Sequence, residues 1–374
     1  MKRVLVLGSV ASMIDQFNIP AIELLIEMGY QVDVACNFKE GNTCSDEEVQ
    51  RLMARLRKMK VRYFHVDFAR DVTKLSQNMK AFRQVERLLK KNNYVFLHCH
   101  TPIGGVVGRI SGKLTNTKVI YTAHGFHFYK GAPLQNWLLF YPVEWLCAHW
   151  TDVLITINKE DYERAKRRMK AKKIVYIPGV GVDLNKFGNQ PVERALKRQE
   201  IGVPENAVML FSVGELNENK NHETVIKALQ GMDVYYVIAG RGKKEENLKK
   251  LAQELGMGGR VKLLGFRTDI VELDKAADAF IFPSYREGLS VSLMEAMASG
   301  LPCAVSRIRG NIDLIDKKGG ELFDPRDISQ VRRAVKNLLK RDRDAMGRYN
   351  ARKIRGFGTQ EVLRRLREIY ASMG

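Results

Sequence analysis

The sequence predicts an α/β protein built from two doubly wound domains, each with a parallel β-sheet. Its 374 residues exceed what one hydrophobic core usually supports, so two domains of ordinary size are expected. Apolar runs rich in β-branched residues alternate with amphipathic helical stretches, which is the pattern of βαβ units. This alternation begins twice along the chain, and a segment rich in glycine, proline and asparagine separates the two series.

The first series predicts the sheet of an N-terminal domain. Helical patterns near residues 18–28, 46–59 and 74–92 lie between apolar runs that fit buried strands. Because helices join these runs, we expect the strands to pair in parallel. The runs are RVLVLG, QVDVAC, VRYFHV, VFLHCH, VIYTAH and VLITIN.

The second series predicts a second sheet of similar size. Helical stretches again separate the apolar runs, which favours the same doubly wound architecture. The runs are VMLFSVGEL (208–216), VYYVIAG (234–240), VKLLG (261–265), AFIFPS (279–284) and PCAVS (302–306).

The segment PGVGVDLNKFGNQPVE (178–193) has the composition of a linker or hinge. We therefore expect one domain at residues 1–184 and another at 185–352. The closing stretch QEVLRRLREIY (360–370) has apolar residues at helical spacing and needs a surface to cover. We expect residues 353–374 to form a C-terminal helix that packs back on the N-terminal domain.

Composition limits the classes of partner. The chain has a formal net charge of +20, which favours an acidic partner such as a nucleotide, a phosphorylated lipid or an anionic membrane. It has neither a nucleic-acid recognition motif nor basic residues interleaved with aromatic ones on a predicted sheet, so we expect no nucleic acid. The five cysteines are scattered and odd in number, which favours free thiols in a reducing, cytoplasmic compartment.

Two glutamates stand eight positions apart in PSYREGLSVSLMEAMASG (283–300). A strand, a loop and a helix with Ser290 as N-cap are predicted here. The backbone N–H groups of Gly288, Leu289 and Ser290 suit an anion such as a diphosphate, because they point out of a helix N-terminus. Glu295 and Glu287 can accept hydrogen bonds from ribose and sugar hydroxyls. Taken alone, they could equally be a loop cap and a surface charge.

Three further strand ends carry residues suited to a nucleotide. Lys220 follows one strand, where its ammonium group could reach phosphate oxygens. Arg241 follows the next strand, and Phe266 and Arg267 follow a third, where a base could stack. Parallel sheets bind ligands at the carboxyl ends of their strands, so this clustering favours a nucleotide site.

These motifs resemble those of the retaining glycosyltransferases of family 4. The E-x7-E element, VGEL with Lys220, GFRTDI, AFIFPSYREGL and EAMASGLP match in order and spacing over nearly the whole chain. The resemblance implies the GT-B fold, in which an acceptor-binding and a nucleotide-sugar-binding Rossmann-like domain face each other across a cleft. It also implies that Lys220 neutralises the leaving diphosphate, that Glu295 binds the ribose and that Glu287 contacts the donor sugar.

The sequence departs from the family at one position. The family usually has arginine directly after the glycine of VG-x-L, and this chain has Glu215 there. The second cation for the diphosphate is therefore open, and we expect Arg241 or Arg307 to supply it.

In the N-terminal domain, YTAHGFHFYKGAP places His124 just past a strand, at a position that matches the family's histidine beside the transferred sugar. HCHTPIGGVVGR resembles an acceptor-side loop, which implies roles for His100, Thr101 and Gly104. No metal is expected, because His98 and His100 lack further ligands at suitable spacing.

The resemblance implies a retaining hexosyltransferase without cofactor. It would move a hexose or N-acetylhexosamine from a nucleotide-diphosphate sugar, such as a UDP-sugar, to a polyprenyl-diphosphate-linked saccharide in capsule or exopolysaccharide synthesis. Two alternatives stay open. An epimerase of the same fold would isomerise the sugar, and a non-catalytic binding module would bind nucleotide sugar or polysaccharide without turnover.

The segment 126–150 is rich in aromatic residues, and its most apolar part, NWLLFYPVEWLCAHW, is too short to span a bilayer. With the basic stretches 51–60 and 81–91, it could bind the anionic inner face of the plasma membrane as a peripheral surface. The alternative is an ordinary buried helix beside solvated basic helices.

Overall fold

The computed structural model has two compact units. Unit 1 comprises Met1–Val180 and Gln360–Gly374, and unit 2 comprises Gly181–Thr359. The residues that the structure describes are 2–42, 44–69, 71–188 and 190–374.

The chain passes between the units a few residues away from the expected boundaries. Residues 181–184 and 353–359 belong to unit 2. The reason is local pairing, because the N–H of Thr359 donates to the carbonyl of Val182 at 3.0 Å. Asn189, within the predicted linker, lies outside the described residues.

Unit 1 contains a seven-stranded parallel sheet with the order β3-β2-β1-β4-β5-β6-β7. The six apolar runs of the first series all form strands of this sheet. Its strands are β1 Arg3–Val10, β2 Gln31–Asn37, β3 Arg62–His65, β4 Phe96–His100, β5 Lys118–Ala123, β6 Val153–Thr156 and β7 Lys173–Tyr176.

Helices cover both faces of this sheet. They are α1 Ala11–Met13, α2 Ile19–Glu27, α3 Asp46–Lys58, α4 Leu75–Asn92, α5 Pro102–Thr115, α6 Leu134–Ala148, α7 Lys159–Arg168 and the C-terminal α17 Thr359–Met373, with a π-helical turn at Ile14–Asn18. Alternate residues of β1 point to opposite faces. Val4 and Val6 join the core under α2, α3 and α17, whereas Leu5 and Leu7 join the core under α4, α5 and α6.

The apolar side of α17 lies in the core of unit 1. Leu366 and Tyr370 are buried there, and the ring of Tyr370 stacks on Phe96 with centroids 5.7 Å apart. The Nζ of Lys118 donates to the carbonyl of Met373 at 2.9 Å. The last helix of the chain is therefore an integral part of the unit that the first residues form.

Unit 2 contains a six-stranded parallel sheet with the order β10-β9-β8-β11-β12-β13. Its strands are β8 Val208–Val213, β9 Val234–Ala239, β10 Val261–Leu263, β11 Ala279–Phe282, β12 Cys303–Ser306 and β13 Gly320–Phe323. Its helices are α8 Leu184–Gly188, α9 Arg194–Glu200, α10 His222–Leu229, α11 Glu245–Glu254, α12 Ile270–Ala276, α13 Val291–Ala298, α14 Asn311–Leu314, α15 Ile328–Lys340 and α16 Arg343–Lys353, followed by a 3-10 turn at Ile354–Phe357.

The strands β7 and β13 were not predicted. Each is an edge strand of four residues, and the central residues of each are only partly buried. Their apolar runs are correspondingly short, so the sequence pattern gives a weak signal.

Each sheet has one point at which the strand order reverses. It lies between β1 and β4 in unit 1 and between β8 and β11 in unit 2. In open parallel sheets, the loops at the carboxyl ends of the strands diverge at this point and leave a crevice for a ligand. The loops after β1, β4, β8 and β11 therefore border these two crevices.

Candidate active site

A tight turn after β8 carries Lys220 to the switch point of unit 2. The side-chain oxygen of Asn217 accepts a hydrogen bond from the N–H of Lys220 at 3.0 Å. Asn221 adopts a left-handed conformation with φ of 54° and donates to the carbonyl of Pro283 at 3.2 Å. A Cβ atom on Gly214 would lie 3.1 Å from the Lys220 side chain, so the glycine leaves room for the lysine.

Lys220 and Glu287 form an ion pair across this switch point. The Nζ of Lys220 lies 2.7 Å from the Oε1 of Glu287, and the two side chains are 20% and 16% exposed. The ammonium group also lies 4.8 Å from the centre of the Phe282 ring, a cation–π contact. The family resemblance implied that Lys220 binds the diphosphate and that Glu287 binds the donor sugar. In the structure, the ammonium group and the carboxylate are in direct contact. Since both remain accessible, an anion can compete with the carboxylate for the ammonium group.

The loop after β11 ends at the N-terminus of α13. The Oγ of Ser290 accepts a hydrogen bond from the N–H of Leu293 at 3.3 Å, so the predicted N-cap is confirmed. Gly288 and Leu289 precede this cap. The first turn of α13 adds the positive end of a helix dipole to the switch point.

A neighbouring loop supports Gly288 from the side of β12. The Nε of Arg309 donates to the backbone carbonyl of Glu287 at 3.1 Å. Gly310 has a φ of 78°, and a Cβ atom there would lie 2.3 Å from the carbonyl oxygen of Gly288. This close approach requires glycine and holds the Glu287 loop in place.

Glu295 lies in α13 and is mostly buried. Among the described residues, no group donates a hydrogen bond to its carboxylate. Burial raises its pKa to about 7, and the positive charge of Lys186 on α8 opposes this rise. Burial, together with the charge of Glu295, also raises the pKa of the nearby Asp274 well above its ordinary value. The carboxylate of Glu295 is therefore a mostly buried hydrogen-bond acceptor with unused capacity.

The other predicted donor-site residues follow β9 and β10. Arg241 is exposed, and Phe266 is 59% exposed, which leaves its ring face open. Arg267 pairs with Glu200 and with Asp269, at 2.5 Å in each case. These hydrogen bonds raise the pKa of Arg267. The guanidinium group of Arg267 is thus engaged within unit 2, whereas Arg241 is exposed to solvent.

Glu215 lies in the loop after β8 and is exposed. Arg307, which follows β12, is exposed as well. Within the described ranges, neither side chain forms an ion pair. The guanidinium group of Arg307 is thus available to an anion, as that of Arg241 is.

The switch point of unit 1 presents hydroxyl groups. The hydroxyl groups of Ser9, near the end of β1, and Thr101, after β4, lie 2.5 Å apart, and the N–H of Gly104 donates to the Ser9 hydroxyl at 3.3 Å. A pocket of about 720 Å³ opens beside them. Its apolar walls come from Val10, Met13, Phe17, Val72, Ile103 and Phe140.

Three histidines lie together at the ends of β4 and β5. The rings of His98 and His100 are 4.2 Å apart between centroids, and the Nδ1 of His100 lies 3.1 Å from the Nε2 of His124. Burial lowers the pKa of His98 to about 3 and that of His124 to about 4, and it lowers the pKa of His100 well below its ordinary value. All three rings are therefore neutral near pH 7.

Both ring nitrogens of His98 form hydrogen bonds within unit 1. Nδ1 is bonded to the hydroxyl of Tyr370 at 2.9 Å, and Nε2 is bonded to the hydroxyl of Thr122 at 2.8 Å. Within the described part of the chain, no group of three or more histidine, cysteine, aspartate or glutamate side chains is arranged to hold a metal ion.

Helix α6 exposes an apolar surface. Leu134, Leu138 and Leu139 are 72%, 69% and 59% exposed, and Val143, Trp145 and Leu146 are exposed as well. The helix is anchored from its other side, where Glu144 pairs with the buried Arg109 at 2.8 Å. An ordinary buried helix would not leave six large apolar side chains in contact with water.

The two basic stretches lie on different faces of the unit 1 sheet. Residues 81–91 belong to α4, which packs into the same core as α6, and α5 contacts both helices. Residues 51–60 belong mainly to α3, which packs into the core on the opposite face. Only the first stretch can therefore share a surface with α6. Across the described residues, no helix is long and apolar enough to cross a bilayer.

Sequence reasoning did not select Ser9, Asn18 or Arg309. A serine directly after the first predicted strand was a visible signal for Ser9. Asn18 was hidden, because it reaches His100 through an irregular helical turn that no periodicity indicates. Arg309 acts on a backbone carbonyl, and such partners leave no trace in a sequence.

Comparison with known proteins gives a consistent assignment. The family model Glycosyltransferase Family 4 matches residues 21–186, and Glycosyl transferases group 1 matches residues 193–354. EpsD of Bacillus subtilis (strain 168), named as a glycosyltransferase, is 35% identical over 349 residues, which cover 90% of this chain and 87% of EpsD.

A second relative is the UDP-Gal:alpha-D-GlcNAc-diphosphoundecaprenol alpha-1,3-galactosyltransferase of Escherichia coli. It is 29% identical over 374 residues, which cover 96% of this chain and 94% of that protein. Among solved structures, Anabaena HepE in complex with UDP and glucose matches with a TM-score of 0.79 at 19% identity, over the full length of both chains. The chain belongs to the family 4 glycosyltransferases and has the GT-B architecture of two Rossmann-like domains.

Proposed function

We propose that the protein transfers a hexose or N-acetylhexosamine, with retention of anomeric configuration, from a UDP-sugar to a polyprenyl-diphosphate-linked saccharide in surface polysaccharide synthesis. The observation that carries this proposal is the accessible Lys220–Glu287 pair at the switch point of unit 2. The loop of Glu287 leads into α13, where no described residue donates a hydrogen bond to Glu295. The name of the Escherichia coli relative supports the donor and acceptor classes. The UDP complex of HepE supports a uridine nucleotide.

The donor enters by exchange at Lys220. Its diphosphate replaces the carboxylate of Glu287 at the ammonium group, because a phosphate oxygen carries more negative charge and accepts charge-assisted hydrogen bonds. Glu287 is then released to accept from a hydroxyl of the sugar. Glu295 accepts from the ribose diol, and the N-terminus of α13 adds N–H donors for the diphosphate.

Transfer proceeds through stabilisation of the leaving group. As the bond between the sugar C1 and the diphosphate oxygen breaks, negative charge grows on the phosphate, and Lys220 neutralises it. The acceptor hydroxyl forms the new bond to C1 on the same face, and its proton passes to the departing phosphate oxygen. No protein carboxylate needs to act as a nucleophile in this scheme.

The acceptor saccharide occupies the pocket at the switch point of unit 1. The Ser9 and Thr101 hydroxyls offer polar contacts to sugar hydroxyls, whereas the apolar walls favour the hydrophobic faces of the acceptor. Among the described residues, the lining includes the carboxylate of Asp71 and no lysine or arginine, so it suits a saccharide better than it suits a second nucleotide.

The same proposal places an anionic membrane against α6. Phe140 belongs both to α6 and to the wall of the pocket, so the exposed apolar side of the helix continues into the acceptor site. On α4, Arg83, Arg87 and Lys91 are exposed at intervals of four residues, which makes successive members neighbours on the helix surface. Apolar side chains can enter the headgroup region while this basic stripe meets anionic lipid.

A transfer assay tests the proposal. The purified chain is incubated with a panel of UDP-sugars and a polyprenyl-diphosphate-linked saccharide, and the product is examined by mass spectrometry and by NMR of the new anomeric centre. One added hexose with the donor's configuration is expected. An isomerised nucleotide sugar without glycoside would indicate an epimerase, and saturable binding without turnover would indicate a binding module.

A further inference from the structure

A chain of hydrogen bonds links three side chains that line a small cavity of unit 1, about 40 Å³ in volume, which shares Phe17 with the larger pocket. The Nδ2 of Asn18 lies 2.8 Å from the Nε2 of His100, and the Nδ1 of His100 lies 3.1 Å from the Nε2 of His124. Asn18 and His100 are 2% and 3% exposed, whereas His124 is only partly buried. The chain therefore runs from the interior to a group that solvent or substrate can reach.

An irregular turn places Asn18 in this position. Residues Ile14–Asn18 form a π-helical turn between α1 and α2, and Pro20 lies in the first turn of α2. Proline has no N–H to donate, so it favours a change of helical register just before it. Single π-helical turns are rare and frequently occur at functional sites.

The direction of the first hydrogen bond follows from the amide. Asn18 presents its Nδ2 group to His100, and its buried Oδ1 has no hydrogen-bond partner among the described residues. The reverse orientation would leave two buried N–H donors unpaired, and buried orphan donors are rarer than under-satisfied carbonyl groups. Asn18 therefore donates, and the Nε2 of His100 accepts.

The remaining protons follow in sequence. Burial keeps His100 neutral, since it lowers the pKa of this ring well below its ordinary value. A neutral imidazole that accepts at Nε2 carries its proton on Nδ1. His100 thus donates to the Nε2 of His124, and the proton of His124 is left on its Nδ1. Among the described residues, no group forms a hydrogen bond with that nitrogen.

We propose that Asn18 and His100 are positioning residues that hold His124 in the Nδ1–H tautomer, so that it presents a hydrogen-bond donor to a hydroxyl oxygen of the bound sugar. The tautomer itself is a property of the free protein. Its role toward a sugar rests on the proposed function.

Nitrogen-15 NMR of the histidine-labelled protein tests the tautomer without any activity. Two-bond correlations distinguish a protonated from a bare ring nitrogen, and substitution of His124 by Gln assigns its signals. We expect a protonated Nδ1 and a bare Nε2 for His124 near pH 7. A protonated Nε2 on His124 would overturn the proposal.

Variants then test the relay. In His100→Leu, the Nε2 of His124 loses its donor, so the Nε2–H tautomer should appear in the spectrum. Thr122→Val is the matched control, because it removes the neighbouring hydrogen bond to His98 and leaves the Asn18–His100–His124 chain intact. An unchanged His124 tautomer in folded His100→Leu would overturn the proposal, as would a changed tautomer in Thr122→Val.

Kinetics connect the tautomer to catalysis. We expect kcat of His100→Leu and Asn18→Leu to fall roughly tenfold, the scale of one net hydrogen bond, with little change in KM for the acceptor. Thr122→Val should retain its kcat. A correct tautomer with unchanged kcat in both relay variants would overturn the catalytic part. An inactive wild type with the expected tautomer would count against the proposed function and leave the relay standing.

Discussion

The two switch points of the molecule have the same topology and opposite chemistry. In unit 2, the loops after β8 and β11 present an ammonium group and a carboxylate that are bonded to each other and still partly exposed. In unit 1, the end of β1 and the loop after β4 present hydroxyl groups, and the nearby histidines are neutral and hydrogen-bonded to one another or to Asn18, Thr122 and Tyr370. Strand order fixes where each site lies, and side-chain charge determines which ligand each can take.

This difference fits the two substrates of the proposed reaction. A diphosphate leaving group needs a cation that is free to move from one partner to another. A saccharide needs fixed donors and acceptors of known direction, since its hydroxyl groups can serve as either. The comparison therefore predicts that charge-removing substitutions act strongly in unit 2 and that substitutions in unit 1 act mainly through hydrogen-bond direction and surface polarity.

The largest effect is expected for Lys220→Ala. Its turnover should fall roughly a hundred- to thousand-fold, as for removal of one transition-state charge stabiliser. Lys227→Ala is the matched control, because Lys227 pairs with Glu223 at the same distance of 2.7 Å on the surface of α10. Measured kcat/KM near the wild-type value in Lys220→Ala would remove this residue from the site and would weaken the contrast between the two units.

The next effect concerns the membrane surface of unit 1. Leu138→Ser combined with Leu139→Ser should reduce binding to anionic vesicles by roughly tenfold or more, because burial of a leucine side chain contributes about 1.5 to 3 kcal/mol. In vesicle flotation, the wild-type protein should float with anionic vesicles at low salt and should not float with neutral ones. It should dissociate from the anionic vesicles as the salt concentration is raised.

Helix α3 supplies the control for this experiment. Arg51→Ser combined with Lys58→Ser removes two exposed charges from the opposite face of the sheet. This variant should float like the wild type. Equal losses in the α3 and α6 variants would show that total charge, rather than the α6 surface, governs binding.

The two glutamates of the E-x7-E element should respond differently to substitution by glutamine. Glu295→Gln should weaken the binding of UDP by about tenfold, the cost of losing a charged acceptor. Glu287→Gln should leave UDP binding unchanged or make it tighter, because Lys220 no longer has a competing carboxylate, but it should lower sugar transfer. Titration calorimetry with UDP alone separates these outcomes, and parallel losses would contradict the exchange at Lys220.

The sequence was most informative where function and periodicity agree. The apolar runs that alternate with helical patterns predicted both sheets, because buried parallel strands must be apolar on both faces. Glycine and polar residues directly after those runs marked the site loops, since such residues are uncommon inside a strand. The Ser290 cap could be predicted because serine directly before a helical pattern is a typical N-cap residue.

The remaining features depend on contacts between distant parts of the chain. The ion pair between Lys220 and Glu287 joins residues 67 positions apart. The bond between Asn18 and His100 joins residues 82 positions apart and needs a π-helical turn. Neither is encoded in a local pattern, so each requires the sheet topology before it can be recognised. The exposed side of α6 was similarly ambiguous, because an apolar helix has the same sequence pattern whether it packs against a protein core or against a membrane.

The smallest effect is a pH-dependent gain in stability on removing the Glu295 charge. Burial raises the pKa of Glu295 from 4.5 to about 7, so the folded protein binds this proton more tightly than the unfolded chain does. The contribution of Glu295 to wild-type stability should consequently fall as the pH rises from about 4.5 to about 7 and stay level above that range. Glu295→Gln removes this penalty, and its free energy of unfolding should exceed the wild-type value by about 1 to 2 kcal/mol at pH 8, with a much smaller difference at pH 5.

Urea unfolding at the two pH values measures both differences, and Glu254→Gln, on the exposed side of α11, serves as the surface control. If Glu295→Gln were less stable than the wild type at pH 8, the Glu295 carboxylate would already be stabilised by other groups in the free protein. Its assignment as an unused hydrogen-bond acceptor for the ribose hydroxyls would then be wrong.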